Sequence, residues 1–175
     1  DVTEKAIQAL LDVNSPLQTP VSRAPIAQDQ TPETYFGADR QSGYMGSEEN
    51  VNSQEASYTP EPADKLGQNS WTLSGRWTVQ TDRITSDSNN SQLIFNVSAK
   101  DVYVVAGTSN GSGKALKVGL PANAAGDFGS DAPGGMLNIN GSRLYHIVSL
   151  PGLTTTTVTL TLPAGVDLYT FTFGS

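Results

Sequence analysis

Large apolar residues and smaller polar residues alternate strictly along residues 71–79, WTLSGRWTV. Successive side chains of a β-strand point to opposite faces of the sheet, so this alternation predicts a strand with one buried and one solvated face. Gly75 has no side chain to pack in mid-strand, which predicts a bulge or the close approach of another backbone. The residues of the predicted buried face are Trp71, Leu73, Gly75, Trp77 and Val79.

The chain after residue 82 carries a series of further short strand patterns. They occupy residues 83–85, 92–99, 101–106, 115–120, 136–139, 143–150, 155–162 and 166–173. Residues 107–114 are predicted to form a hairpin loop, and Asn140-Gly141 and Pro151-Gly152 are predicted to turn the chain. Closely spaced strands without intervening helices predict an all-β fold, an antiparallel β-sandwich of the jelly-roll type. The predicted core consists of Trp71, Leu73, Trp77, Val79, Phe95, Val97, Leu160, Tyr169, Phe171 and Phe173.

The leading part of the chain follows other patterns. Residues 1–11, DVTEKAIQALL, place apolar side chains at helical spacing and predict a short helix. A helix this short needs a surface to dock on, and a docked helix and a frayed leader stay equally open. Residues 12–30 contain three prolines among polar residues and predict a linker. Because the chain begins with Asp1 rather than Met, we expect an excised fragment or a processed form.

Two segments before the first long strand are predicted to contribute to the core. Residues 31–37, TPETYFG, predict a helical turn that places Tyr35 and Phe36 in the core. Residues 39–64 form a long polar stretch, and loops of this length are unusual within a compact domain. This stretch is expected to be either partly mobile or packed across a sheet face through Tyr44, Met45 and Tyr58.

Charge is distributed unevenly along the chain. Residues 1–65 carry eleven acids and four bases, whereas residues 66–175 carry six of each, so the net charge of −7 belongs to the leading part. Neither part offers a basic patch, which argues against nucleic acid or an anionic membrane as a partner. There are no cysteines, and no apolar run approaches the length of about 20 residues that spans a membrane.

Motifs for catalysis are weak. Residues 107–114, GTSNGSGK, resemble a phosphate-binding loop, but five residues rather than four separate the glycines before Lys114, and Ala115 stands where Ser or Thr is needed. His146 is the only histidine, and the chain has no Gly-x-Ser-x-Gly nucleophile elbow. A structural histidine is therefore favoured over a catalytic one, and the sequence predicts no catalytic residue and no cofactor.

Ligand-binding candidates lie in the loops. A calcium site at Asp127 and Asp131 is conceivable, but the loop lacks a dense Asp/Asn/Gly rhythm, so solvated carboxylates are favoured and no metal is predicted. The two tryptophans are assigned to the core rather than to sugar stacking. Tyr44, Tyr58 and Phe128 are the better candidates for an exposed ligand-binding platform, and lids over the edge of the core are an equally good interpretation of them.

Five stretches in order resemble one known family. They are residues 31–37 (TPETYFG), 71–79 (WTLSGRWTV), 101–107 (DVYVVAG), 143–148 (RLYHIV) and 168–174 (LYTFTFG). Together they resemble the C-terminal domain of DipZ-type thiol–disulfide interchange proteins, in which it follows a CcdA-like membrane domain and a thioredoxin/TlpA-like domain. The resemblance implies a jelly roll similar to carbohydrate-binding modules in residues 31–175. It also implies that residues 1–11 are the last helix of the preceding thioredoxin-like domain and residues 12–30 the interdomain linker.

The resemblance implies an extracytoplasmic location, with the family's redox Cys-x-x-Cys upstream of this chain. The first functional hypothesis is therefore a non-catalytic accessory domain that positions the preceding thioredoxin-like domain or recruits its protein thiol substrates. The alternative is a glycan-binding module that holds the parent enzyme at cell-wall or surface polysaccharide. A free-standing hydrolase is the weakest interpretation. In each case this domain itself makes no membrane contact.

Overall fold

The computed structural model describes residues 29–46, 53–124 and 126–175. Within them it forms ten strands and two short 3₁₀ turns, Ala63–Lys65 and Pro133–Gly135. The all-β prediction is confirmed, whereas the predicted helix of residues 1–11 and all but the end of the predicted linker lie outside the described residues. The strands are β1 Thr34–Tyr35, β2 Glu55–Tyr58, β3 Ser70–Val79, β4 Ile84–Ser86, β5 Ser91–Thr108, β6 Lys114–Gly119, β7 Asp127–Phe128, β8 Met136–Ile139, β9 Arg143–Leu162 and β10 Val166–Gly174.

The pairs among these strands are antiparallel throughout. The strand order is β1-β10-β4-β3-β5-β9-β6-β8, with β2 added beside β3, β7 beside β9, and a further pairing of β10 with β5. The first half of β5 lies between β3 and the second half of β9, whereas its second half lies between β10 and the first half of β9. The two longest strands therefore run through both layers of a sandwich-like fold.

Four of the predicted strands merge into these two. Residues 92–99 and 101–106 are one strand, and residues 143–150 and 155–162 are another. The predicted turn at Pro151-Gly152 is wrong, because residues 150–153 form a bulge opposite Lys100 and the strand continues. A bulge tolerates proline because its residues leave the regular hydrogen-bond ladder. The loop of residues 109–113 is also not a hairpin, since β6 pairs with β8 and β9 rather than with β5.

Alternation predicted the core well where a strand is regular. Eight of the ten predicted core residues are buried, and Tyr169 and Phe173 are only half-buried. A register shift between Leu168 and Thr170 explains Tyr169, because the extra residue breaks the alternation and turns its ring outward. Phe173 still packs against the core near the end of β10.

Gly75 marks the point where β3 changes partners. Residues 70–74 pair with β5, and residues 77–79 pair with β4. Gly75 has a φ of +90°, and a Cβ placed there would lie 2.9 Å from Oγ and 3.1 Å from Cα of Ser91. The predicted close approach of another backbone is confirmed, and only glycine combines this φ with this spacing.

The segment before β3 differs from its prediction in two respects. Residues 31–37 form no helical turn, because Thr34–Tyr35 pairs with β10 as a short strand. Phe36 is fully buried as predicted, with its ring centroid 5.0 Å from that of Trp71, whereas Tyr35 is half-buried on the opposite face. The long loop contains a strand that the sequence pattern did not reveal, since β2 pairs with β3.

Candidate functional site

A surface cleft of about 310 Å³ opens where β1, the bulge of β10 and the β3–β4 turn meet. Tyr35 comes from β1 and Tyr169 from the β10 bulge, so the two rings belong to neighbouring strands. The charged members of the lining come from the loop after β1 and from the β3–β4 turn. The cleft is lined by Tyr35, Gly37, Asp39, Arg40, Thr81, Asp82, Tyr169 and Thr170.

Backbone contacts hold the two loops of this cleft together. The N–H of Ala38 donates to the carbonyl of Gln80 at 2.8 Å, and the N–H of Asp39 donates to that of Thr81 at 3.1 Å. Gly37 allows this approach, because a Cβ there would lie 2.3 Å from the carbonyl carbon of Asp82. The cleft is therefore shaped by backbone packing, which keeps its walls in place without a ligand.

Charged side chains lie beside both rings of the cleft. The guanidinium of Arg40 lies 3.5 Å from the ring centroid of Tyr35, and the Tyr35 hydroxyl donates to Glu33 at 2.7 Å. That hydrogen bond to Glu33, more than any other influence, raises the pKa of Tyr35 above its ordinary value. On the other side Arg83 pairs with Asp82 at 3.1 Å and lies 5.9 Å from the ring centroid of Tyr169.

The three aromatic residues predicted as a platform lie outside this cleft, and only Tyr44 and Tyr58 contact each other. Tyr58 is 4 % exposed and faces Tyr44 edge-on, with 6.3 Å between ring centroids. Tyr44 is half-buried against Trp71 at 5.0 Å. Phe128 is half-buried near Gly135 at the far side of the sheet. This packing favours lids over the core edge, and ligand binding by these rings stays a prediction.

A serine, a histidine and an aspartate do come together on the surface. Nδ1 of His146 lies 3.3 Å from the hydroxyl of Ser130, and Nε2 lies 3.0 Å from Asp101. The N–H of Ser130 also donates to Nδ1 at 3.4 Å, which places the ring hydrogen on Nε2. These distances match a nucleophile, a base and an orienting group.

Neither Ser130 nor Asp131 nevertheless offers a free backbone N–H group that could stabilise an oxyanion. The N–H groups of Ser130 and Asp131 are both used, on Nδ1 and on the backbone carbonyl of His146. His146 thus connects the loop of residues 129–132 to β9 through its ring and its backbone, and its structural rather than catalytic role stays a prediction.

Asp127 and Asp131 are engaged separately. Asp127 accepts a hydrogen bond from the N–H of Phe128, whereas Asp131 accepts from Arg143 at 2.8 Å and from the His146 backbone at 2.8 Å. The Arg143 hydrogen bond, followed by that from the His146 backbone, lowers the pKa of Asp131. Among residues 29–46, 53–124 and 126–175, no three His, Asp or Glu side chains are grouped to hold a metal ion.

A second surface feature is the outward side of the sheet formed by β1, β10, β5 and the first half of β9. We call it the outer sheet face. Residues that lie directly opposite each other on paired strands share a face of the sheet, so the strand register identifies the residues of the outer sheet face. Leu144 is 46 % exposed on it, whereas Val104 and Tyr145 on the other side are fully buried. The outer sheet face consists of Tyr35, Tyr103, Val105, Leu144, His146, Thr170 and Thr172.

In the described part of the chain, no helix is long and apolar enough to span a bilayer. The chain is 30 % identical over 183 aligned residues to protein DipZ of Mycobacterium bovis and to protein DipZ of Mycobacterium tuberculosis. Each alignment covers 99 % of this chain and 24 % of the relative, so the chain spans about a quarter of their length.

A solved structure of a glycoside hydrolase family 43 arabinoxylan arabinofuranohydrolase from Bacillus subtilis, in complex with cellotetraose, superposes with a TM-score of 0.39. It is 13 % identical and covers 73 % of this chain and 28 % of that chain, a likeness that carries no argument about function. Residues 31–174 match the family described as thioredoxin like C-terminal domain. Since the match covers nearly all of the described strands, this chain belongs to the thioredoxin-like C-terminal domain family.

Proposed function

We propose that this chain is a non-catalytic accessory domain of an exported thiol–disulfide interchange protein. The observation that carries the proposal is the 30 % identity to protein DipZ across 99 % of the chain. In this arrangement residues 1–11 end a preceding thioredoxin-like domain, residues 12–30 link it to this domain, and residues 31–175 form the accessory domain. The domain works on the extracytoplasmic side, tethered through the parent protein.

Two features support the absence of redox and hydrolytic chemistry in this domain. Dithiol exchange requires a thiolate, and the sequence has no cysteine to supply one. The surface Ser130, His146 and Asp101 lack free backbone donors for an oxyanion. We therefore assign the redox chemistry of the parent protein to the proposed thioredoxin-like domain rather than to this one.

The finer role we propose is to position the preceding thioredoxin-like domain against the outer sheet face. The position of Gln30, near the start of the described residues, supports this placement. Gln30 donates to the carbonyl of Phe173, the residue before Gly174, and Gly174 pairs with Asp101 at the end of this face. Leu144 and Val105 give the face an apolar centre with few charges, which suits domain packing better than solvent.

The parent protein with Leu144→Lys tests this role. Leu153→Lys is the matched control, because Leu153 is 44 % exposed and Leu144 46 %, and Leu153 lies in the β9 bulge away from this face. We expect Leu144→Lys to accelerate proteolysis of the linker at residues 12–30 and to change the rate of thiol–disulfide exchange. Equal behaviour of the two variants in both assays would contradict the proposal that the preceding domain docks on the outer sheet face.

Glycan binding is the second candidate function, and the cleft between Tyr35 and Tyr169 is the observation that favours it. In this function the domain would hold the parent protein at a wall or surface polysaccharide. Tyr35 and Thr170 belong both to the cleft and to the outer sheet face, so a docked preceding domain would compete with a glycan for this site.

A further inference from the structure

We propose that the cleft between Tyr35 and Tyr169 binds a single neutral sugar ring, such as the terminal unit of a glycan. This inference deepens the second candidate function and rests on it. The sequence pattern predicted an aromatic platform at Tyr44, Tyr58 and Phe128. The proposed platform consists instead of Tyr35 and Tyr169, which the fold places in one cleft.

Tyr169 supplies the main stacking surface, beside Tyr35, one face of which the Arg40 guanidinium covers at 3.5 Å. The β10 bulge turns Tyr169 out of the core, and β1 places Tyr35 on the outward side of the neighbouring strand. The electron-rich faces of aromatic rings attract positively polarised groups, including the C–H edges of a sugar. A cleft of about 310 Å³ lies at the lower end of small-molecule sites, which suits one ring rather than a long chain.

The polar lining determines the charge of the ligand. Asp39 and Asp82 offer acceptors, Arg40 offers donors, and Arg83 lies beside Asp82 at 3.1 Å. Three carboxylates, those of Asp39, Asp82 and the nearby Glu33, outnumber the guanidinium groups of Arg40 and Arg83, so the cleft has no excess positive charge to attract a phosphate or a carboxylate. These few donors and acceptors, set in a mostly apolar lining, are of the kind that the hydroxyl groups of a neutral sugar can use.

The geometry of the sheet edge argues against a peptide. An extended peptide binds best by adding a strand to an exposed edge, and β1 is the edge strand beside the cleft. That edge is already occupied, since Tyr35 pairs with Gln41 and the side chain of Gln41 donates to the carbonyl of Phe36 at 3.1 Å. A peptide would have to displace this segment, whereas a sugar ring would not.

Titration of the full 175-residue chain with neutral methyl glycosides, followed by amide chemical shifts, tests the proposal. Methyl glucoside, galactoside, mannoside and arabinoside are the probes, and glucuronate is the anionic counterpart. We expect saturable millimolar binding of at least one neutral probe, with shifts centred on residues 37–40 and 81–83. Tyr169→Ala should raise the dissociation constant at least about tenfold, as should Asp82→Asn, which leaves the aromatic packing intact.

Tyr103→Ala is the matched control, because Tyr103 is a half-buried surface tyrosine outside the cleft, and it should bind like the wild type. Three outcomes would each overturn the inference: no saturable shift with any neutral probe, binding that survives both cleft substitutions, or tighter binding of glucuronate. Shifts centred instead on the polar groove at Thr154–Thr157 would retain glycan binding as a function and discard this site. The linker proteolysis assay needs no sugar, so the accessory role is judged independently.

Discussion

Asp101 on β5 and His146 on β9 lie across paired strands, with Nε2 of the imidazole 3.0 Å from the carboxylate. The His146 ring also stacks on Tyr103, with 4.6 Å between centroids. Burial, followed by the charge of Asp101, raises the pKa of Tyr103, so this phenol stays neutral beside the pair. The loop carrying Ser130 closes on the other side of the imidazole. The His146 ring therefore connects β5, β9 and the loop that carries Ser130.

We expect the chain to hydrolyse p-nitrophenyl acetate no faster than its Ser130→Ala variant, because Ser130 has no oxyanion donors beside it. It should also be inactive in insulin reduction, since it has no cysteine. Ester hydrolysis that falls by a factor of about ten or more in Ser130→Ala would instead identify a working nucleophile.

Trp77→Ala should lower the free energy of unfolding by about 3–5 kcal/mol, measured by denaturant titration. Trp77 is fully buried, and its Nε1 donates to the carbonyl of Ser74 at 2.9 Å, so the substitution removes both a large apolar volume and a hydrogen bond. Leu153→Ala, at a side chain that is 44 % exposed, should change stability by less than about 0.5 kcal/mol. Similar losses in both variants would contradict the assigned register of β3.

Gly75→Ala should destabilise the domain by about 2–4 kcal/mol, because it combines a strained φ with an overlap against Ser91. Gly111→Ala separates the two effects. Gly111 has a φ of +69° but no atom within 4 Å of an added Cβ, so it should cost only about 1 kcal/mol. Thermal unfolding of the two variants measures the difference, and equal melting temperatures would show that the contact with Ser91 contributes nothing.

Asp131→Asn should remove a pH-dependent part of the stability. The folded-state pKa of Asp131 is lowered, so its contribution is present above the ordinary carboxyl value of 3.8 and is lost as the pH falls through the lowered value. At neutral pH we expect a loss of about 1 kcal/mol, reduced by the partial exposure of its pair with Arg143. Unfolding measured between neutral and strongly acidic pH should show the variant and the wild type converging at the acid end.

A chain that starts at Gln30 should melt within a few degrees of the full chain. Among the described residues, Gln30 and Thr31 anchor the entering segment, and the Thr31 N–H donates to the carbonyl of Ser98 at 2.8 Å. Asp29 adds only an exposed hydrogen bond, which its carbonyl accepts from Gln68 at 2.9 Å. The apolar stripe predicted in residues 1–11 is expected to belong to the preceding domain. A large fall in melting temperature would show instead that residues 1–29 pack on the sandwich.

Regular alternation was enough to predict which side chains of most strands are buried. Trp77, Phe95 and Leu160 were placed correctly because the orientation of successive side chains in a strand is a local property with a period of two residues. The all-β class followed from the same pattern. The close approach at Gly75 was also predictable, because a mid-strand glycine has few other uses.

Bulges and long-range pairing were decided only by the tertiary structure. Nothing local distinguishes a turn at Pro151-Gly152 from a bulge, since the difference depends on whether β5 continues opposite β9. The same holds for Tyr169. Alternation assigns its side chain to the core, but the β10 bulge turns it outward.

Both clusters on the surface also arise from residues far apart in the chain. Tyr35 and Tyr169 meet because β1 pairs with β10, and Asp101 meets His146 because β5 pairs with β9. The sequence alone determined the residue types and the buried face of each regular strand. Register and bulges determined which exposed side chains lie together, because these depend on the hydrogen-bonding partner of a strand rather than on its own residues.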